Sequence, residues 1–292
     1  MNKTLAALST LQLDTRPNPL ARRPLVAFFA LAFGLTWSFL LADALGARGL
    51  IPFRLTLSGP GLILALLMSY GPSIAALLVA GTTEGRAGLW SLLRSLLRWR
   101  IGLRWYALAL AGPAALFFVA ARLSELLGGE PRPLPAQGWS VLLMGLVGSL
   151  LHGIANGEEL GWRGYALPRL LQRQRPLAAS LTLGVIWFVF HLPIMFVPNS
   201  IAGDQSFATA LPFFAGVLAT SVLMTWLYRG TGGSVLLTTL FHGAVNVWPG
   251  LVGGAGSEAT LAWLQAALLT LAAAAVVARY GPNLGPPSSE PR

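Results

Sequence analysis

Three short stretches of this chain carry side chains able to do acid–base chemistry, and each lies in or against a strongly apolar run. The first, residues 156–165 (NGEELGWRGY), sets two carboxylates side by side, Glu158 and Glu159, with Arg163 four residues after the second. On a helix successive residues point about 100° apart, while positions four apart share a face. Glu159 and Arg163 are therefore expected to form an ion pair that orients their helix. Glu158 is left pointing elsewhere, free to act as a general base or acid. The second stretch, residues 187–191 (WFVFH), places Trp187 one turn before His191, with Pro193 just beyond, so that indole packs on imidazole and the helix bends there. The third, residues 242–246 (HGAVN), puts His242 and Asn246 on one helix face.

Each group has a plainer reading. His242 and Asn246 offer donors that could hold a carbonyl oxygen as it becomes an oxyanion. Such residues also link helices by hydrogen bonds inside membranes. Glu158 is expected to meet His191 and His242. Those three would equally make a zinc ligand set with water in the fourth position, although no HExxH pattern accompanies them. His152, four residues before Asn156, reads as a structural or supporting residue. Adjacent acids on one helix cannot flank a scissile bond from opposite faces, so glycosidase chemistry is set aside.

The elements that must position these groups are membrane spans. The 292 residues are 55% hydrophobic and 10% charged, with mean hydropathy +0.66, where a soluble domain carries about 25% charged residues. A net charge of +10 invites a nucleic-acid reading. The arginines, however, border apolar runs, a pattern of membrane orientation, so no nucleic-acid partner is expected. There is no cysteine, which removes disulfides and thiolate metal sites. No small-residue cleavage pattern follows the first apolar run.

The expected architecture is an all-α, polytopic transmembrane bundle of about eight spans. Residues 1–24 read as a cytoplasmic tail and 25–137 as three N-terminal spans, the second kinked at Gly71-Pro72. Within that block, residues 84–104 interleave arginines with leucines and tryptophans, as a helix lying in the interface would. Residues 138–250 hold the chemistry, 251–280 the last span and 281–292 a disordered tail. For Glu158 to reach His191 and His242 at membrane depth, the fourth helix is expected to run unbroken from about Trp139 through the acidic pair towards Leu171. With both termini cytoplasmic, only Arg48, Arg54, Arg122 and Arg132 of the 20 Lys and Arg fall on the opposite side, the bias that the positive-inside rule requires.

Taken together, the three stretches resemble the motifs of the CPBP family of intramembrane proteases, which includes type II CAAX prenyl proteases and Abi-type bacteriocin-immunity proteins. The family pattern is two adjacent glutamates with an arginine four after the second, then Phe-x-x-x-His, then His-x-x-x-Asn/Asp. Here it reads Glu158, Glu159 and Arg163, then Trp187 and His191, then His242 and Asn246, with Trp187 in place of the phenylalanine. The resemblance covers roughly residues 138–250. It implies that Glu158 with His191 activates a water for attack on a peptide carbonyl. It further implies that His242 and Asn246 hold the oxyanion and that Glu159 and Arg163 support the site. The family has been classed both as metallo- and as glutamate-dependent. The expected partners are the lipid bilayer and a membrane-associated peptide or protein substrate, prenylated or not, in the cell membrane. Two other classes compete. One is a non-catalytic immunity or scaffold protein that keeps the polar network for stability. The other is a proton-coupled transporter, for which no matched pair of broken helices is evident.

Overall fold

The computed structural model describes residues 19–52, 63–64, 67–129, 138–196, 207–252 and 259–285. Its regular elements are helices. Among the described residues, six are long and apolar enough to cross a bilayer by length and composition. They are α1 (Pro24–Ala47), α4 (Leu103–Leu126), α5 (Gly138–Asn156), α7 (Pro176–His191, prolonged by a 3-10 segment Leu192–Phe196), α8 (Phe207–Gly230) and α10 (Ala259–Tyr280). Two shorter apolar helices, α2 (Gly71–Thr83) and α9 (Val235–Leu251), complete a set that agrees with an all-α polytopic bundle. Between α2 and α4 lies α3 (Gly85–Leu96), within the expected basic interfacial segment. Trp90, Leu93 and Leu97 are exposed there, while Leu92 is buried.

Two breaks shape the bundle. Residues 67–69 are helical, Tyr70 is a turn residue and Gly71-Pro72 opens α2, with Pro in the first turn, where its missing N–H is not needed, so the apolar run is interrupted at this point. The larger departure is at Gly157. The unbroken helix expected from Trp139 towards Leu171 ends at Asn156 and resumes as a π-helix (Leu160–Ala166) followed by α6 (Leu167–Leu171). Gly157 has φ +61°, a left-handed conformation that glycine adopts without penalty. A Cβ there would lie 2.6 Å from the Tyr70 ring, so the close approach also demands glycine. The break leaves backbone carbonyls without helical partners, and α2 and the residue just before it supply hydroxyls for them. Tyr70 Oη donates to the Ile154 carbonyl and Ser73 Oγ to that of Gly157. In hydrocarbon such groups must be satisfied internally.

Close packing brings α5 against α9. Gly145, Ser149 and Gly153 are the buried residues of α5 and recur every four positions, one stripe of small side chains. A Cβ on Gly153 would lie 2.7 Å from the Thr239 carbonyl oxygen, and one on Gly145 would strike the Trp248 ring. Small residues at a helix interface let backbones approach, the usual source of association energy where lipid removes any hydrophobic advantage. The other side of α5 is apolar and exposed, with Leu143, Leu151 and Ile154 among its outward residues. In the tail, Gly281–Asn283 form a 3-10 turn and Leu284 is buried, so the segment expected to be disordered packs on the bundle at its start. Residues 286–292 and 1–18 lie outside the described residues.

Candidate active site

The α5–α9 contact and the break at Gly157 bring the three motifs together around one side chain, Trp187. Its indole Nε1 donates to Glu158 Oε2 at 2.9 Å. Its ring meets the His191 ring edge-on at 5.6 Å and the His242 ring at 5.1 Å. On another side the Arg163 guanidinium sits 4.6 Å from the ring centroid, within cation–π range. Trp187 is 4% exposed and Arg163 fully buried, so these contacts are made away from bulk solvent.

Glu158 is anchored rather than free. The same Oε2 also accepts from Trp162 Nε1 at 2.8 Å, so two indole N–H groups fix the carboxylate. Its other oxygen takes no hydrogen bond from the described residues. The Glu159–Arg163 pair forms as the four-residue spacing requires, Arg163 Nη1 donating to Glu159 Oε1 at 2.9 Å. That oxygen also receives His242 Nδ1 at 2.9 Å. The partner of His242 is therefore Glu159 and not Glu158, as the turn at Gly157 and the π-helix reset which carboxylate faces α9. Glu159 Oε2 is buried with no hydrogen-bond partner among the described residues.

His191 closes α7. Its Nδ1 lies 2.7 Å from the Trp187 carbonyl oxygen and donates to it, which fixes the tautomer and leaves Nε2 as an unshared base. The carbonyl of the preceding Phe190, at the helix end, accepts from Trp37 Nε1 of α1 at 2.9 Å. His242 Nε2 accepts from Asn156 Nδ2 at 2.8 Å, in keeping with a proton on Nδ1 directed at Glu159. Asn246 is exposed on α9, and its Nδ2 donates to His152 Nε2 at 2.9 Å. Each asparagine uses one of its two N–H donors in these bonds.

Sequence reasoning gave Asn156 no role and His152 only a supporting one. Both lie on the last turns of α5, four residues apart, and each contacts one member of the His242–Asn246 pair. The only local signal was that four-residue spacing. Trp162 was missed altogether, since nothing in the sequence distinguishes it from a packing tryptophan. The zinc set of Glu158, His191 and His242 does not fit this geometry. Both ring nitrogens of His242 are engaged by protein groups, and no three acidic or imidazole side chains among the described residues converge as a ligand group.

A multi-pass α-helical membrane protein whose buried Glu158, Glu159 and His242 are joined to the less buried His191, Asn156 and Asn246 is the class these features define. Residues 136–248, the stretch carrying the whole site, match the family described as type II CAAX prenyl endopeptidase Rce1-like. A curated relative, CAAX prenyl protease 2 of Methanococcus maripaludis, is 37% identical over 101 residues. That match covers 34% of this chain and 37% of the relative.

Proposed function

We propose that the chain is an intramembrane endopeptidase that hydrolyses a peptide bond of a membrane-associated substrate, of the CAAX type that its relatives' names suggest. The observation that carries the reading is the pairing built on Trp187. A carboxylate pinned through one oxygen by two indoles and an imidazole whose Nδ1 is fixed and whose Nε2 is unshared both touch that one side chain. General base catalysis needs such an oriented acceptor. A water between Glu158 Oε1 and His191 Nε2 gives up a proton and its oxygen attacks the scissile carbonyl. The proton then passes to the leaving amine. The second N–H of Asn246 is the donor left for the developing oxyanion. His242 can join it only with a proton on Nε2 and release of Asn156. Glu159 and Arg163 hold His242 in place. No step runs through a metal ion. The bundle is assigned to the cell membrane with both termini cytoplasmic.

The substrate class is tested with purified protein and matched peptides ending in a CAAX sequence, farnesylated or not, with products mapped by mass spectrometry. Release of the last three residues from the farnesylated peptide alone supports a CAAX endopeptidase. Cleavage at internal positions of either peptide points to a broader membrane protease. Intact peptides with well-folded protein favour the non-catalytic reading, in which the hydrogen-bonded network is structural.

A further inference from the structure

Away from the site, a cleft of about 800 Å³ opens at the arginine-rich end of the bundle. Four separate parts of the chain wall it: the start of α1, helix α3 with the residues just after it, the π-helix and α6, and the turn after α8. Its charged lining is Arg22, Arg23, Arg98, Arg169, Arg173 and Glu84. Glu84 is already committed to Arg169, whose guanidinium also lies 3.5 Å from the Tyr165 ring centroid and donates to the Tyr165 carbonyl. No carboxylate among the described residues pairs with Arg22, Arg23, Arg98 or Arg173. Four cations from three places in the chain (Arg22 and Arg23 ahead of α1, Arg98 after α3, Arg173 after α6) thus face one cavity whose single carboxylate, Glu84, is taken by Arg169. In an isolated protein they would repel one another, and an anionic guest relieves this.

Two features decide what the guest is. First, depth: α1 begins at Pro24 and α8 ends at Gly230, so the cleft lies where two spans leave the hydrocarbon, at the level of lipid phosphates. Second, the wall is amphipathic. Residues 24–26 continue the basic rim into an apolar face, and Val26 is 60% exposed. A soluble anion has no use for that face, whereas an acyl chain would lie along it. The geometry points to a binding site for the phosphate headgroup of an anionic phospholipid, seated among Arg22, Arg23, Arg98 and Arg173 with its chain against α1. Basic pockets between spans bind such headgroups by charge and by guanidinium–phosphate hydrogen bonds. The site stands independently of the peptidase reading, because it shares no side chain with the Glu158–His191 centre.

Native mass spectrometry titrations of the full chain in detergent, with phosphatidylglycerol or phosphatidylcholine of matched chains, test this. Phosphatidylglycerol is expected to bind more tightly, each of Arg22→Gln, Arg98→Gln and Arg173→Gln weakening it about fivefold. Ser91→Asp, which sets a carboxylate in the cleft, does the same without removing an arginine. Arg104→Gln, outside the cleft, leaves binding unchanged. Equal affinity for the two lipids overturns the proposal, as does an equal loss with Arg104→Gln, which would mean general surface charge. Displacement of phosphatidylglycerol by millimolar inorganic phosphate would instead make this a soluble-phosphate site. Thermal unfolding of every variant separates loss of binding from loss of fold.

Discussion

At the scale of single residues, Trp187 does more than fill space beside His191. The related motif carries phenylalanine at this position, and a phenyl ring could keep the contacts to His191 and His242. It could not donate to Glu158. A hydrogen bond to a charged group contributes about 1.5–3 kcal/mol, so Trp187→Phe should lower turnover about tenfold or more with little change in melting temperature. Kinetics and thermal unfolding on the same preparation check this; unchanged turnover would remove Trp187 from the positioning of Glu158. Arg163 behaves differently. It is fully buried and neutralises Glu159, and removing one partner of a buried pair costs about 3–5 kcal/mol. Arg163→Leu is expected to lower the denaturation midpoint sharply before any activity question arises. The residue types and four-residue spacings of the motifs were legible in the sequence, because helical periodicity links Glu159 to Arg163 and Trp187 to His191 locally. Which carboxylate meets His242 was not legible, since that depends on a backbone turn set by a distant ring.

At the scale of elements, that turn is the decisive feature. A glycine in an apolar run is ambiguous from sequence, as glycine is common in membrane helices. Gly157 becomes a break because Tyr70 occupies the space where a Cβ would go and because hydroxyls from α2 and the residue just before it take up the freed carbonyls. Gly157→Ala should therefore destabilise the protein by about 1–3 kcal/mol through strain at a positive φ. It should also lower activity, as the acid pair is carried by the segment that follows. Melting temperature and turnover measured together test this; an unaffected variant would show that the turn tolerates a side chain. The stripe of Gly145, Ser149 and Gly153 was equally hidden, because a small residue signals close approach only once its partner helix is known. Gly153→Leu forces α5 off Thr239 and should cost about 1–3 kcal/mol by overpacking. Thermal unfolding in detergent reads this directly.

At the scale of the whole molecule, the all-α bundle followed from hydropathy, since only helices satisfy their own backbone over such long apolar runs. What the pattern could not supply was where the long and short apolar helices among the described residues begin and end, because a helix's end is fixed by its neighbours. The proposed topology puts the arginine-rich end in the cytoplasm, in line with the positive-inside rule, and the lack of cysteine in the sequence makes the test simple. In intact cells an impermeant maleimide should label Leu50→Cys and spare Arg100→Cys and Arg173→Cys until the membrane is opened. The reverse pattern would invert the topology. The most direct measurement of the central claim is peptide cleavage by wild type, Glu158→Gln and His191→Ala, each with its melting temperature recorded in the same sample and each with and without a chelator. The account predicts cleavage by wild type that survives the chelator. It predicts a loss of about 100-fold or more in both variants, with melting temperatures within a few degrees of wild type. Cleavage retained by Glu158→Gln, or lost only because the variants unfold, would contradict it.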